Sequence, residues 1–86
     1  MNNLRSKKIE VQLKTAASFG LFYIDMSLYL KEAKKYRASG FTVNRLFCDE
    51  KDHPERNSFY YRISWEDATE ENSFAYMLYT IAKSIQ

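Results

Sequence analysis

The chain has 86 residues, enough for one small core, since a domain of this size buries only about 60–65% of its unfolded surface. Hydrophobic residues make up 45%, aromatic 16% and charged 28%, a globular composition whose aromatic share excludes disorder as the default. The net charge of +2, from 13 basic and 11 acidic side chains, excludes a histone-like polycation and an acidic tail protein.

The near-neutral total hides a split, with residues 1–48 at +6 and residues 49–86 at −4. One reading is an anionic partner for the first half. The other is helix punctuation. Lys34, Lys35 and Arg37 would close one helix and Asp67, Glu70 and Glu71 open another, where the helix dipole favours each sign. Cys48 is the single cysteine, so no intrachain disulfide forms, and a cytoplasmic protein is expected. The longest uncharged run, residues 15–24, is far short of the roughly 20 apolar residues of a membrane span. Arg5, Lys7 and Lys8 precede that run, but Glu10, Lys14 and Asp25 interrupt any signal-peptide pattern. Phe, Tyr, Met, Ile, Asn and Lys total 34 against 15 for Gly, Ala, Arg and Pro. That is the bias of AT-rich codons and points to a low-GC bacterium or one of its mobile elements.

Along the chain, residues 8–14 alternate Ile9, Val11 and Leu13 with polar neighbours, which predicts a half-buried strand. A helix is the rival reading, because Ile9, Leu13, Ala16 and Ala17 also fit helical spacing. Over residues 18–38 the period becomes helical, with Phe19, Phe22, Met26, Tyr29, Leu30, Ala33 and Tyr36 as its stripe and Gly40 beyond its end as a left-handed cap. Asp25 is an alternative N-cap for it. Residues 41–48 and 58–65 are rich in aromatic and β-branched types and predict two hairpin strands around a polar loop. Pairing Val43 with Ile63 and Arg45 with Tyr61 puts an aromatic row on one side, broken only by Arg45. Asp67 and Glu70 suggest a capping box ahead of a last helix to residue 85, with Phe74, Met77, Leu78, Ile81 and Ile85 as its stripe.

The expected fold is thus a single small α+β domain, residues 1–86, of β-α-β-β-α order. It would have a three-stranded sheet, two helices on one face, and its first two strands parallel. The other sheet face would lie open unless a second copy covers it.

No catalytic, metal or cofactor site is expected. His53 stands alone in the loop without the further His or Cys ligands that zinc needs, and the loop lacks the glycine of a calcium-binding turn. The two glycines, Gly20 and Gly40, are too far apart for a phosphate loop. What remains is binding. Arg45, Tyr60, Tyr61, Arg62 and Trp65 are the residue types that carry interface energy. They point to a non-catalytic regulatory or inhibitory protein that docks a protein partner through its sheet and hairpin. The alternative is a nucleic-acid-binding module using Lys31, Lys34, Lys35, Arg45 and Arg62 among aromatics.

Overall fold

The computed structural model describes residues 3–86, and the side chains from Leu4 onward. Helix α1 spans Asn3–Ser18. It buries Ile9, Leu13, Ala16 and Ala17, spaced i, i+4, i+7 and i+8, while Val11 is 61% exposed. A strand over residues 8–14 would have buried Val11 beside Ile9 and Leu13, so the helical rival of the alternation is correct. Gly20, at φ +80°, ends the helix in the left-handed region.

The next segment departs from the expected long helix. Strand β1 runs Tyr23–Tyr29 and only then does helix α2 begin, Leu30–Ala38. Period two wins because it buries Ile24, Met26 and Leu28 against the core in one row. The helical stripe would have needed Phe19 inside, and Phe19 is 76% exposed. Gly40, at φ +93°, follows the last turn of α2 as the sequence predicts. A Cβ there would also clash with the Asn72 side chain, so glycine is required twice over.

Strand β2 is Thr42–Arg45 and strand β3 is Ser58–Ser64. Their register is the predicted one, with Thr42, Val43, Asn44 and Arg45 facing Ser64, Ile63, Arg62 and Tyr61. A short 3-10 turn, Pro54–Arg56, lies in the loop between them. Helix α3 runs Ser73–Ile85, six residues later than Asp67. The Asp67–Glu70 capping box does not form, and α3 has no acidic residue in its first turn. The cluster at Asp67, Glu70 and Glu71 therefore does not answer a helix dipole. Lys35 and Arg37 do close α2.

The result is a small α+β domain of order α-β-α-β-β-α, with three α-helices among the described residues rather than two. Its sheet order is β1-β3-β2. β3 pairs antiparallel with both neighbours, so β1 and β2 run parallel but never touch. All three helices pack residues into one core against one sheet face. Trp65 is fully buried there, its indole N–H donating to the Leu21 carbonyl at 3.0 Å. Phe41 stands edge-on to Tyr36, Trp65 and Phe74 at centroid distances of 5.6, 6.4 and 5.9 Å. Among the described residues no helix is long and apolar enough to cross a membrane.

Candidate interface on the open sheet face

Alternation along the strands sorts the candidate residues. Tyr61 and Trp65 belong to the core, at 4% and 0% exposure, and contribute nothing to a surface. Tyr60 and Arg62 point the other way, onto the face no helix covers. There they meet Tyr23, Asp25, Ser27 and Tyr29 of β1, with Tyr23 and Tyr29 both 42% exposed. Of the five residues the sequence offers for an interface, Tyr60 and Arg62 lie on the open face, Tyr61 and Trp65 lie in the core, and Arg45 lies on the core side. The β1 contribution to this face follows from residues 23–29 forming a strand where the helical period predicts a helix.

Arg62 organises this face. Asp25 stands opposite it across the β1–β3 ladder and accepts from Nε at 2.8 Å and from Nη2 at 3.0 Å. The same guanidinium lies 4.1 Å from the centre of the Tyr23 ring. The bonded carboxylate holds the Arg62 proton more tightly than in a free side chain. Each tyrosine of the face has a cation against it: Arg62 on exposed Tyr23, Arg5 on exposed Tyr29 at 4.9 Å, and Lys51 on half-buried Tyr60 at 5.5 Å.

Arg45 is on the core side, as its place in the aromatic row predicts. Its guanidinium packs 3.9 Å from the Phe59 ring centre and 4.6 Å from that of Phe47. It ends on Asp52, at 2.9 Å. Asp52 also accepts the Tyr60 N–H at 2.9 Å and the Cys48 N–H at 3.3 Å. The Arg45 bond, with the two N–H donors, lowers the Asp52 pKa below the usual carboxylate range. The polar loop is therefore ordered around one carboxylate. His53 closes its base through a bridge to Ser58 and has Nδ1 3.4 Å from Glu55. Among the described residues no group of three or more His, Cys, Asp or Glu converges as metal ligands.

The basic candidates separate. Both strand arginines are spoken for by carboxylates. Lys35 leans over the Tyr36 ring at 5.6 Å. Lys31 and Lys34 line a groove of about 440 Å³ together with Arg56, Asn57, Tyr29 and Leu30. Arg56 was not anticipated there, since only the fold carries the loop to the start of α2, where Leu30 N–H meets the Asn57 carbonyl at 2.8 Å.

No protein-family model, curated protein or solved structure matches this chain.

Proposed function

We propose that this chain is a non-catalytic regulatory or inhibitory protein that binds a protein partner through the open face of its sheet. The observation that carries the reading is the uncovered patch of Tyr23, Tyr29 and Tyr60 around the Arg62–Asp25 pair. Tyrosine and arginine dominate interface hot spots, and rigid anchors lose less entropy on binding than mobile ones. A phosphate backbone is a poorer match to this face, because its arginine already has a bidentate carboxylate. The lone thiol and the AT-rich residue bias support a cytoplasmic protein of a low-GC bacterium or its mobile element.

Affinity capture from a native host lysate, with the wild type beside a Tyr60→Ala/Arg62→Ala double variant, tests the reading. One protein should co-purify stoichiometrically with the wild type and be lost with the variant. Equal recovery by both, or bait alone, refutes it. Elution at twice the chain mass on a sizing column would make a second copy the partner.

A nucleic-acid reading keeps one observation in its favour, the groove that gathers Lys31, Lys34 and Arg56 beside Tyr29. Oligonucleotide titration at two salt concentrations separates the readings. Phosphate-driven binding would weaken steeply as salt rises and would be lost in Lys31→Glu/Lys34→Glu.

A further inference from the structure

A sheet of three strands has two edges, and this molecule treats them differently. Strand residues alternate in which way their main-chain groups point. On β2, Leu46 N–H turns inward to the Tyr60 carbonyl at 2.8 Å, so Val43 turns outward. Its carbonyl is taken by Arg37 Nη2 at 2.6 Å. That edge is only four residues long, and a side chain caps one of its outward carbonyls.

On β1 the inward set is even-numbered. The Phe22 carbonyl accepts from Trp65 N–H at 2.9 Å, and Leu30 N–H donates to Asn57 at 2.8 Å. Tyr23, Asp25, Ser27 and Tyr29 therefore turn their main-chain groups outward. Two of these groups are satisfied: Arg5 Nη2 donates to the Ser27 carbonyl at 3.3 Å, and Tyr29 N–H donates to Glu32 at 2.8 Å. The N–H and carbonyl of Tyr23 and of Asp25, with the N–H of Ser27, face outward with no such partner among the described residues.

That open stretch borders a groove of about 400 Å³ whose far wall is α1. Val11, Thr15 and Ala16 form the wall, and Leu21, Tyr23 and Ile24 the floor and rim. Val11 at 61% and Leu21 at 46% exposure leave it apolar and accessible. Val11 and Gln12 also line a second hollow on α1 with Lys7 and Lys8, neither of which has a carboxylate partner among the described residues. Bare edge polar groups beside an apolar channel are what strand addition requires: main-chain bonds give affinity and alternate side-chain pockets give selectivity. An unprotected edge with neither proline nor lysine on it is otherwise an aggregation hazard.

We propose that β1 accepts an extended segment of a partner protein as a fourth strand, with apolar side chains at alternate positions set into the groove against Val11 and Leu21, and acidic side chains at the end nearest Lys7 and Lys8. The accessible stretch, Tyr23 to Ser27, spans about 16 Å at the usual rise of a strand. A second copy fits it less well. Symmetric pairing centred on Asp25 would set two carboxylates opposite each other, and centring on Met26 or Ser27 would displace Arg5. The edge is separate from the open face and does not depend on it.

The probe is a ten-residue peptide enriched from a random displayed library on the immobilised protein, then synthesised with a fluorescent label. It should alternate apolar residues and carry Asp or Glu at one end. Its binding should fall at least tenfold in Val11→Glu, a substitution at an exposed site, and severalfold in Lys7→Glu/Lys8→Glu. Tyr60→Ala/Arg62→Ala should leave it unchanged. Amide exchange at Tyr23, Asp25 and Ser27 should slow at least tenfold in the complex. Failure of any peptide to enrich, full affinity in Val11→Glu, or unslowed amides at these three residues overturns the proposal. Loss only in Tyr60→Ala/Arg62→Ala overturns it too, while leaving the open-face reading intact.

Discussion

Glu32 is 2% exposed and accepts three hydrogen bonds: from Arg5 Nε at 2.5 Å, from Arg5 Nη2 at 2.9 Å and from Tyr29 N–H at 2.8 Å. It thereby ties the start of α1 to the junction of β1 and α2. In Glu32→Ala the Tyr29 N–H loses its acceptor at a helix start, which costs about 1–2 kcal/mol. The ion pair adds only about 1 kcal/mol, because the Arg5 side chain is 38% exposed and rehydrates when released. The expected total is about 2–3 kcal/mol, which for a chain of this size lowers Tm by roughly 8–20 °C. Arg5→Ala has a different penalty: it leaves a carboxylate in the core with no cation, so its loss should match or exceed that of Glu32→Ala. The double variant should then lose no more than Glu32→Ala alone, since no charge remains buried. Thermal and urea unfolding followed by circular dichroism measure all three. A Tm change under 4 °C in Glu32→Ala, or two single losses that simply add in the double variant, would refute the reasoning.

Three further outcomes follow from buried or strained groups. The Tyr36 hydroxyl is buried without a hydrogen-bond partner, and burial pushes its pKa up to about 12. Tyr36→Phe should be neutral or stabilising by up to about 1 kcal/mol, and a clear loss in urea unfolding would contradict that. Because the folded value lies above the ordinary 10.0, the Tyr36 contribution is whole below pH 10 and is lost as pH rises through 12, which phenolate absorbance tracks against unfolding. Asp52 is the opposite case. Its value is depressed, chiefly by the Arg45 bond, so its contribution is whole above the ordinary 3.8 and is lost as pH falls through the folded value. The urea midpoint of Asp52→Asn should accordingly fall less steeply below pH 4 than that of the wild type. Gly40→Ala should cost about 2–3 kcal/mol from positive φ and the clash with Asn72. Adding Asn72→Ala should recover the clash but leave about 1 kcal/mol, and full recovery would show that φ is not strained.

The hairpin was legible because its residues carry a local signal. Val43, Ile63 and Phe41 have the β-branched and aromatic shapes that suit a pleat, and only one register buries them together. The cap at Gly40 was legible for the same kind of reason, since few residues tolerate positive φ. α1 and β1 were not, because their apolar residues satisfy two periods at once. Ile9 and Leu13 serve either a strand with Val11 or a helix with Ala16 and Ala17. Met26 serves either a helix with Phe22 and Tyr29 or a strand with Ile24 and Leu28. Tertiary burial decides both cases: Val11 and Phe19 are turned out, and Ile24 and Leu28 are drawn in. The capping box at Asp67 failed for a related reason. Asp67 and Glu70 stand at suitable spacing, but the chain at residues 65–72 is turning away from Trp65, and α3 starts only at Ser73.

The candidate surfaces inherit this ambiguity. Once residues 23–29 are a strand, Tyr23, Asp25 and Tyr29 fall on one face and their main-chain groups on one edge, so a single element supplies both surfaces. Read as a helix, the same residues scatter round a cylinder and Arg62 has no carboxylate opposite it. The pairing of Asp25 with Arg62 is thus a consequence of the strand. It also gives that arginine a bidentate carboxylate beside the exposed rings of Tyr23 and Tyr29. The +6 of the first half falls in weight for the same reason. Arg5 and Arg45 are engaged by Glu32 and Asp52, and Arg37 by the Val43 carbonyl. Of the other basic side chains of that half, Lys7 and Lys8 line a hollow on α1 with Val11 and Gln12, and Lys31 and Lys34 line the groove at the start of α2. A lysine beside an apolar contact favours an acidic group next to an apolar one, which is why the proposed partner is a peptide segment rather than a nucleic-acid strand.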